Sequence, residues 1–269
     1  MAESKAALAR SLGIARSTLY YKPKRPVRDQ WLRDQILEAW SHHPSYGHRR
    51  LAIHFKVNKK RILRVMRIYN LYPAVRRKRH KKRAFVPSTI PNRIKDVTID
   101  RPNFVWVGDF TELWCAGHKV YLATVLDRFT REVIAWQIAL HHTAQLVVDV
   151  LQEAVRKREQ PPQYFHSDQG SEYASSLCIQ WVVSHHILPS HSPKASPWRN
   201  GHQESFFGRF KDEFARPSIY PTVERLIEAI GKHIHYYNTE RIHSALKMPP
   251  RQFFLEFQKS LKPKENMTP

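Results

Sequence analysis

The sequence predicts an α/β protein, a mixed sheet flanked by helices and preceded by small helix-turn-helix modules. Three observations carry that prediction. Of a net charge of +22, residues 1–100 hold +19 and residues 101–269 only +3. At Phe104 the apolar pattern changes from helical spacing to runs of branched and aromatic residues. From there the elements read βββαβαβα, the order of a sheet covered by helices. The predicted division is 1–26 helix-turn-helix, 27–83 second helical DNA-binding module and basic linker, 84–102 boundary linker, and 103–269 catalytic core with a helical tail.

In the first module Ala6, Ala7, Leu8 and Ala9 carry a short helix. Gly13 supplies the turn, because glycine accepts positive φ, and a second helix is expected over 15–20. That helix offers Arg16, Ser17 and Thr18 to a major groove. Two prolines in 22–26 end the unit. Trp31, Leu32, Ile36, Leu37 and Trp40 recur at helical spacing over 29–40. Beyond His42-His43-Pro44, Leu51, Ile62, Leu63 and Met66 are expected to form a small core. Arg49, Arg50, Lys59, Lys60 and Arg64 are then left to meet phosphates, with no acidic residue between Lys56 and Arg67 to offset them. Arg76, Arg77, Lys78, Arg79, Lys81, Lys82 and Arg83 fill seven of the eight positions 76–83. Such a run cannot be buried and should neutralise phosphates without reading bases. Prolines 87, 91 and 102 place the boundary linker at 84–102.

Strands are expected over 104–111, 119–127 and 132–140, the first two joined by a turn at Gly117-His118. Leu146, Val147, Val150, Leu151 and Val155 line one stripe of a helix over 143–158, which Pro161-Pro162 ends. A fourth strand is expected over 164–167, a helix over 175–183, a fifth strand near Ile187-Leu188, and a last helix from about Asn200. On a helical wheel Phe206, Phe207, Phe210 and Phe214 share one arc, while Glu204, Gly208 and Lys211 share the adjoining stripe. The Phe arc should bury that helix against the sheet and hold Glu204 at the rim, with Lys211 placed to meet a phosphate.

Asp109 lies inside the first strand, Asp168 ends the fourth and Glu204 sits on the last helix. Each acid alone is weak evidence, since an Asp at a strand end is more often a turn cap or solvent contact. Other classes are disfavoured. Cys115 and Cys178 are isolated, which removes a disulfide framework and a cysteine zinc site. No G-x-x-x-x-G-K-S/T string is present. The opening Met-Ala-Glu-Ser lacks the features of a signal peptide, and the longest uncharged stretch is broken by polar residues and proline, so no membrane partner is expected. A soluble chain of a reducing compartment, cytoplasmic and nucleoid-associated, is the expectation.

The strings Trp106-Val107-Gly108-Asp109-Phe110-Thr111, His166-Ser167-Asp168-Gln169-Gly170-Ser171-Glu172-Tyr173 and Asn200-Gly201-His202-Gln203-Glu204-Ser205-Phe206-Phe207, then Phe210 to Glu213, resemble the DDE catalytic domain of IS3-type insertion-sequence transposases, relatives of retroviral integrases. Thirty-five residues separate Asp168 from Glu204, the DD(35)E interval of that group. The tail Tyr237-Asn238-Thr239-Glu240-Arg241-Ile242-His243-Ser244 and the upstream Tyr46-Gly47-His48-Arg49-Arg50 extend the resemblance over nearly the whole chain. It implies a ribonuclease H-like fold and Asp109, Asp168 and Glu204 as metal ligands for two Mg²⁺, with Mn²⁺ as substitute. It also implies double-stranded DNA, as transposon ends and target, for substrate, and an oligomer, at least a dimer, on DNA. An upstream-frame protein is a further candidate partner. The segment before Glu204 departs from the Gly- and Asp-containing version of many relatives. The competing readings are a catalytically idle transposase-derived regulator, a ribonuclease H-like nuclease acting on RNA–DNA hybrids, and a chromatin protein, which leaves the acidic motifs unexplained.

Overall fold

The computed structural model describes residues 5–20, 25–74, 90–192 and 201–261. The chain divides into two compact units, over 1–73 and 74–269.

In the first unit α1 (Lys5–Ser11) reaches the Gly13 turn at φ +64°, and a 3-10 helix follows at Arg16–Tyr20. An α-helix was expected over 15–20. Ser17 and Thr18 hydroxyls compete for backbone groups and disfavour a longer helix. Arg16, Ser17 and Thr18 are exposed. α2 (Arg25–His42) buries Leu32, Ile36 and Ala39, while Trp31 and Leu37 of the same helical pattern are exposed. α3 (His48–His54) and α4 (Lys59–Ile68) close the module over Tyr46, Leu51, Ile62, Val65 and Met66; Leu63, also expected there, is half-buried.

Two of the expected DNA contacts are used internally. Arg64 donates from both terminal nitrogens to the buried Asp29, at 2.6 Å each, tying α4 to α2. The missing acid for this helix comes from a residue 35 positions away, outside any i,i+4 reading. Arg50 is buried, donates to Ser45 Oγ at 3.2 Å and stacks over Tyr46. Arg49, Lys59 and Lys60 remain exposed. The basic run at Arg76, Arg77, Lys78, Arg79, Lys81, Lys82 and Arg83 lies outside the described residues.

The second unit holds the mixed sheet expected from the sequence. β1 (Val105–Cys115), β2 (His118–Asp127) and β3 (Val133–Ala139) form an antiparallel meander, and β4 (Tyr164–Ser167) and β5 (Leu188–His191) add in parallel to give the order β3-β2-β1-β4-β5. α5 (Ala144–Arg158) starts at Thr143, whose side chain accepts from Leu146 N, and ends where Glu159 takes a left-handed turn before the prolines. It shares one sheet face with α6 (Ser176–Ser184), burying Leu146, Val150, Leu151, Cys178 and Val182. The other face is covered by α7 (Gly201–Glu213) and α8 (Val223–Thr239), where Phe206, Phe207, Phe210 and Phe214 meet Leu226, Ile230 and Ile234. The Phe arc is thus core, as the wheel predicts.

The expected linker is partly core too. Ile94 is buried in the α7/α8 face, Arg93 N donates to Ser190 Oγ at 2.9 Å, and His191 N to Pro91 O. From Ile90 onward this segment is a strap held to β5 through Pro91 rather than a spacer. At the other end Asn238 clamps β3, accepting from Val133 N and donating to Val133 O, while Glu132 takes Arg158 and Arg251 to dock α9 (Pro250–Leu261).

Three imidazoles are buried deeply enough to stay neutral. Burial, with Arg128 and His191 adding to it, pushes His166 down to about 3, and burial brings His191 and His233 to about 4. Unfolding exposes them to ordinary titration near 6.5. The unfolded chain therefore takes up protons first, and stability complete above pH 6.5 is lost as pH falls toward 4, by about 1.4 kcal/mol per pH unit per ring. Urea unfolding should show a loss on the order of 5 kcal/mol between pH 6.5 and 5. A flat profile there would mean that these rings are charged in the native protein.

Candidate active site

Asp109 and Asp168 come together through strand register. β1 pairs in parallel with β4, Val107 opposite His166, and two further residues along each chain stand Asp109 and Asp168. Both lie just past the last paired residues of two adjacent strands, and the charges of both reach the Tyr173 phenol. Each is oriented by the main chain. Asp109 Oδ1 accepts from Phe110 N at 2.8 Å, and Asp168 Oδ1 accepts from Gly170 N at 3.0 Å. Asp109 is buried and Asp168 half-buried.

The glycines of both motifs have steric reasons. A Cβ on Gly108 would lie 2.5 Å from Phe165 Cζ, and one on Gly170 would lie 3.1 Å from Asp168 Oδ1 and equally close to Glu172 Oε2. Tyr173 packs over Gly108, and its phenol is held well above its usual range by burial first, then by the charges of Asp109 and Asp168. It stays protonated beside the acids. His166, for which turn-ordering and substrate contact weigh equally from sequence, is structural: fully buried, its two nitrogens meet Ser190 Oγ at 3.0 Å and Ser192 Oγ at 2.9 Å. A neutral ring fits this place, one nitrogen donating and the other accepting.

Asp127 is a different kind of acid. Wholly buried, it accepts from the main-chain nitrogens of Asn103, Phe129 and Thr130, and so builds the β2–β3 turn.

Glu204 lies on α7, with its side chain outside the described residues, and Lys211, farther along that helix, is exposed. The residue that brings α7 to the sheet is Gln203, which the sequence reading passed over. Fully buried, it donates from Nε2 to Val107 O at 2.8 Å and to Thr124 O at 3.2 Å. Val107 is two residues before Asp109, and Thr124 is opposite Asp109 on β2. Gln203 therefore pins the helix carrying Glu204 to the backbone that carries Asp109. A buried polar residue next to a candidate acid was the available signal. Gln203→Leu should remove both bonds, at about 1–3 kcal/mol. Gln203→Glu, which sets a carboxylate against those carbonyls, should cost more; thermal melts in which both variants matched the parent would remove this anchor.

Among the described residues no three His, Cys, Asp or Glu side chains form a metal cage. The described pair is nonetheless suited to a hard cation: both donors are carboxylate oxygens, and the neighbouring Gln169 Oε1 is buried with no hydrogen-bond donor.

The chain is similar to integrase core domains and to insertion-sequence transposases. The integrase core domain model matches residues 99–197, and a second integrase core domain model matches 185–250. InsK of Escherichia coli (strain K12), assigned as the transposase of insertion sequence element IS150, is 32% identical over 254 residues, 89% of each chain. The transposase for insertion sequence element IS904 of Lactococcus lactis is 31% identical over 234 residues, 83% of this chain and 92% of that one. Among solved structures the HTLV-2 integrase catalytic core domain in complex with magnesium is 20% identical, covering 57% of this chain and 97% of its own, with a TM-score of 0.45. A simian T-cell lymphotropic virus intasome gives 18% identity, covering 87% of this chain and 76% of that one, with a TM-score of 0.48. With the Asp109–Asp168 register and near end-to-end similarity to these insertion-sequence proteins, the chain belongs to the IS3-type transposases that carry an integrase core domain.

Proposed function

We propose that this chain is a DDE transposase that binds transposon ends, cleaves DNA by metal-assisted hydrolysis and joins the 3′-OH ends to target DNA. The observation that supports the reading is the β1–β4 pairing, from whose adjacent ends Asp109 and Asp168 follow, together with Gln203, which anchors the helix bearing Glu204. Asp109, Asp168 and Glu204 would hold two Mg²⁺, or Mn²⁺ in substitution, which when bound activate the attacking oxygen and stabilise the leaving one. The protein's own part is positional. Main-chain N–H groups orient both aspartates, Tyr173 keeps a protonated hydroxyl near them, and the two packed sheet faces hold the acids rigidly.

Duplex DNA is the substrate this reading requires. Arg16, Ser17, Thr18, Arg49, Lys59, Lys60 and Lys211 are the exposed contacts it retains, and the run from Arg76 to Arg83 adds affinity without sequence preference. Arg50 and Arg64 are withdrawn from the contact set because they hold their own module together. Joining two ends calls for at least two chains, since each supplies one set of acids.

The test uses the purified full chain, labelled duplexes carrying the inverted repeats that flank its gene, and supercoiled target. Mg²⁺-dependent nicking at the repeat tip and joined product are expected, both abolished by chelation. Degradation of an RNA–DNA hybrid with the duplex ends left intact would make the nuclease reading the correct one. Binding without cleavage in Mg²⁺ or Mn²⁺ would make it the idle regulator.

A further inference from the structure

A column of rings is built on the residue that follows Asp109. Phe110 follows Asp109 on β1 and points to the opposite sheet face, where its ring stacks between Tyr173, at 6.1 Å and 18°, and His142, at 5.6 Å and 23°. Tyr121 supports His142 from β2 at 4.6 Å. Tyr173 is buried and Phe110 half-buried, whereas the His142 side chain is 46% exposed. The column thus runs from the core to solvent and ends on an imidazole.

That imidazole is held in place. His142 Nδ1 bonds to Oε1 of Glu172, whose side chain is only 8% exposed. The other oxygen of Glu172 and Asp168 Oδ1 both lie 3.1 Å from where a Cβ on Gly170 would stand. His142 is therefore coupled to both motifs, stacked on the residue after Asp109 and bonded to the turn that carries Asp168. Packing explains the inner rings. It does not explain an outer ring kept in line at the surface, where fixing a side chain costs rotamer freedom.

We propose that the outer face of His142 is a stacking platform for one nucleobase of the DNA end, turned out of the duplex next to the phosphodiester being cut or joined. The proposal rests on the transposase reading and names how that site holds its substrate. Residues 101–269 carry a net charge of only +3, so phosphate attraction contributes far less here than over residues 1–100. Stacking supplies affinity without charge and accepts any base, because every base has a π-face. Leu140, on the same loop and 56% exposed, gives the platform an apolar flank of the kind that supports an unstacked base step.

Three substitutions separate ring, hydrogen bond and charge. His142→Phe keeps the ring, His142→Gln keeps a partner for Glu172, and His142→Lys supplies a cation without a ring. Joining of ends by the full chain is expected to fall about 5- to 100-fold in the Gln and Lys variants, the range for loss of one stacked base. The Phe variant should stay within a few-fold of the parent. The decisive measurement repeats the assay on ends with a single abasic nucleotide moved through the positions flanking the cut. At one position the parent should lose activity while His142→Gln loses nothing further, because the two changes remove the same contact.

Losses that multiply at every abasic position would overturn the platform. So would a failing Phe variant beside an active Gln variant, which assigns His142 to holding Glu172, or an active Lys variant beside a failing Phe variant, which assigns it to a phosphate. Asp109→Asn distinguishes the two levels of inference. If that variant joins DNA like the parent, the transposase site itself is wrong; if it is dead while every His142 variant is normal, only the platform falls.

Discussion

Replacing Asp109 with Asn, Asp168 with Asn or Glu204 with Gln should reduce cleavage and joining at least about a thousandfold, the order expected when charge stabilisation of several kcal/mol is lost. End binding should change little, because the basic charge lies in residues 1–100. Stability supplies an independent reading. In chelator, neighbouring carboxylates repel one another, so removing one should leave the melting temperature unchanged or higher. In Mg²⁺ the parent should gain stability by mass action and the variants should gain less. Asp127→Asn is the contrasting control: it disturbs a buried acceptor of three main-chain N–H groups, so it should lower the melting temperature and keep the Mg²⁺ response. Cleavage near the parental rate in any one of the three variants would remove that residue from the site.

The second large effect is expected far from the chemistry. Arg241 and Glu213 form a two-pronged pair, Nε to Oε2 at 2.6 Å and Nη2 to Oε1 at 2.7 Å, with both side chains 4% exposed. Glu213 ends α7 and Arg241 follows α8, so the pair sets the far end of the helix that Gln203 anchors at its start. Arg241→Ala or Glu213→Ala should each cost about 3–5 kcal/mol, because the remaining charge stays buried without its counterpart. The double replacement Glu213→Leu with Arg241→Met should recover much of that stability, since an apolar pair of similar volume carries no desolvation penalty. It should recover less of the activity if the pair also fixes where Glu204 stands. Chemical denaturation beside the joining assay measures both. Single variants within 1 kcal/mol of the parent would show the pair to be solvated, a cost about the size of a surface ion pair.

Much of the catalytic unit was legible in the linear sequence. Branched runs, the prolines at 161 and 162, and the Phe arc mark the strands, the end of α5 and the buried face of α7 because each depends on local stereochemistry or period. The acids could be recognised because their motifs are contiguous and their spacing is a property of the chain. The first unit was read less well. Leu63, expected in its core, is only half-buried, and Trp31 and Leu37, at helical spacing with Leu32 and Ile36, are exposed, because the buried stripe is narrower than the set of apolar residues supplied.

What only the tertiary structure decided are the pairings between residues far apart in the chain. Arg64 with Asp29, Gln203 with Val107 and Thr124, His166 with Ser190 and Ser192, and His142 with Glu172 have no periodic signature. A run of cations looks the same in sequence whether its partner is a phosphate or a buried aspartate 35 residues away. Charge, hydrophobic period and motif spacing are carried by the chain itself and survive without a fold. Which charges face solvent, and which polar atoms hold the acids in place, depends on desolvation and hydrogen-bond geometry, and those exist only once the sheet has formed and its two faces have closed.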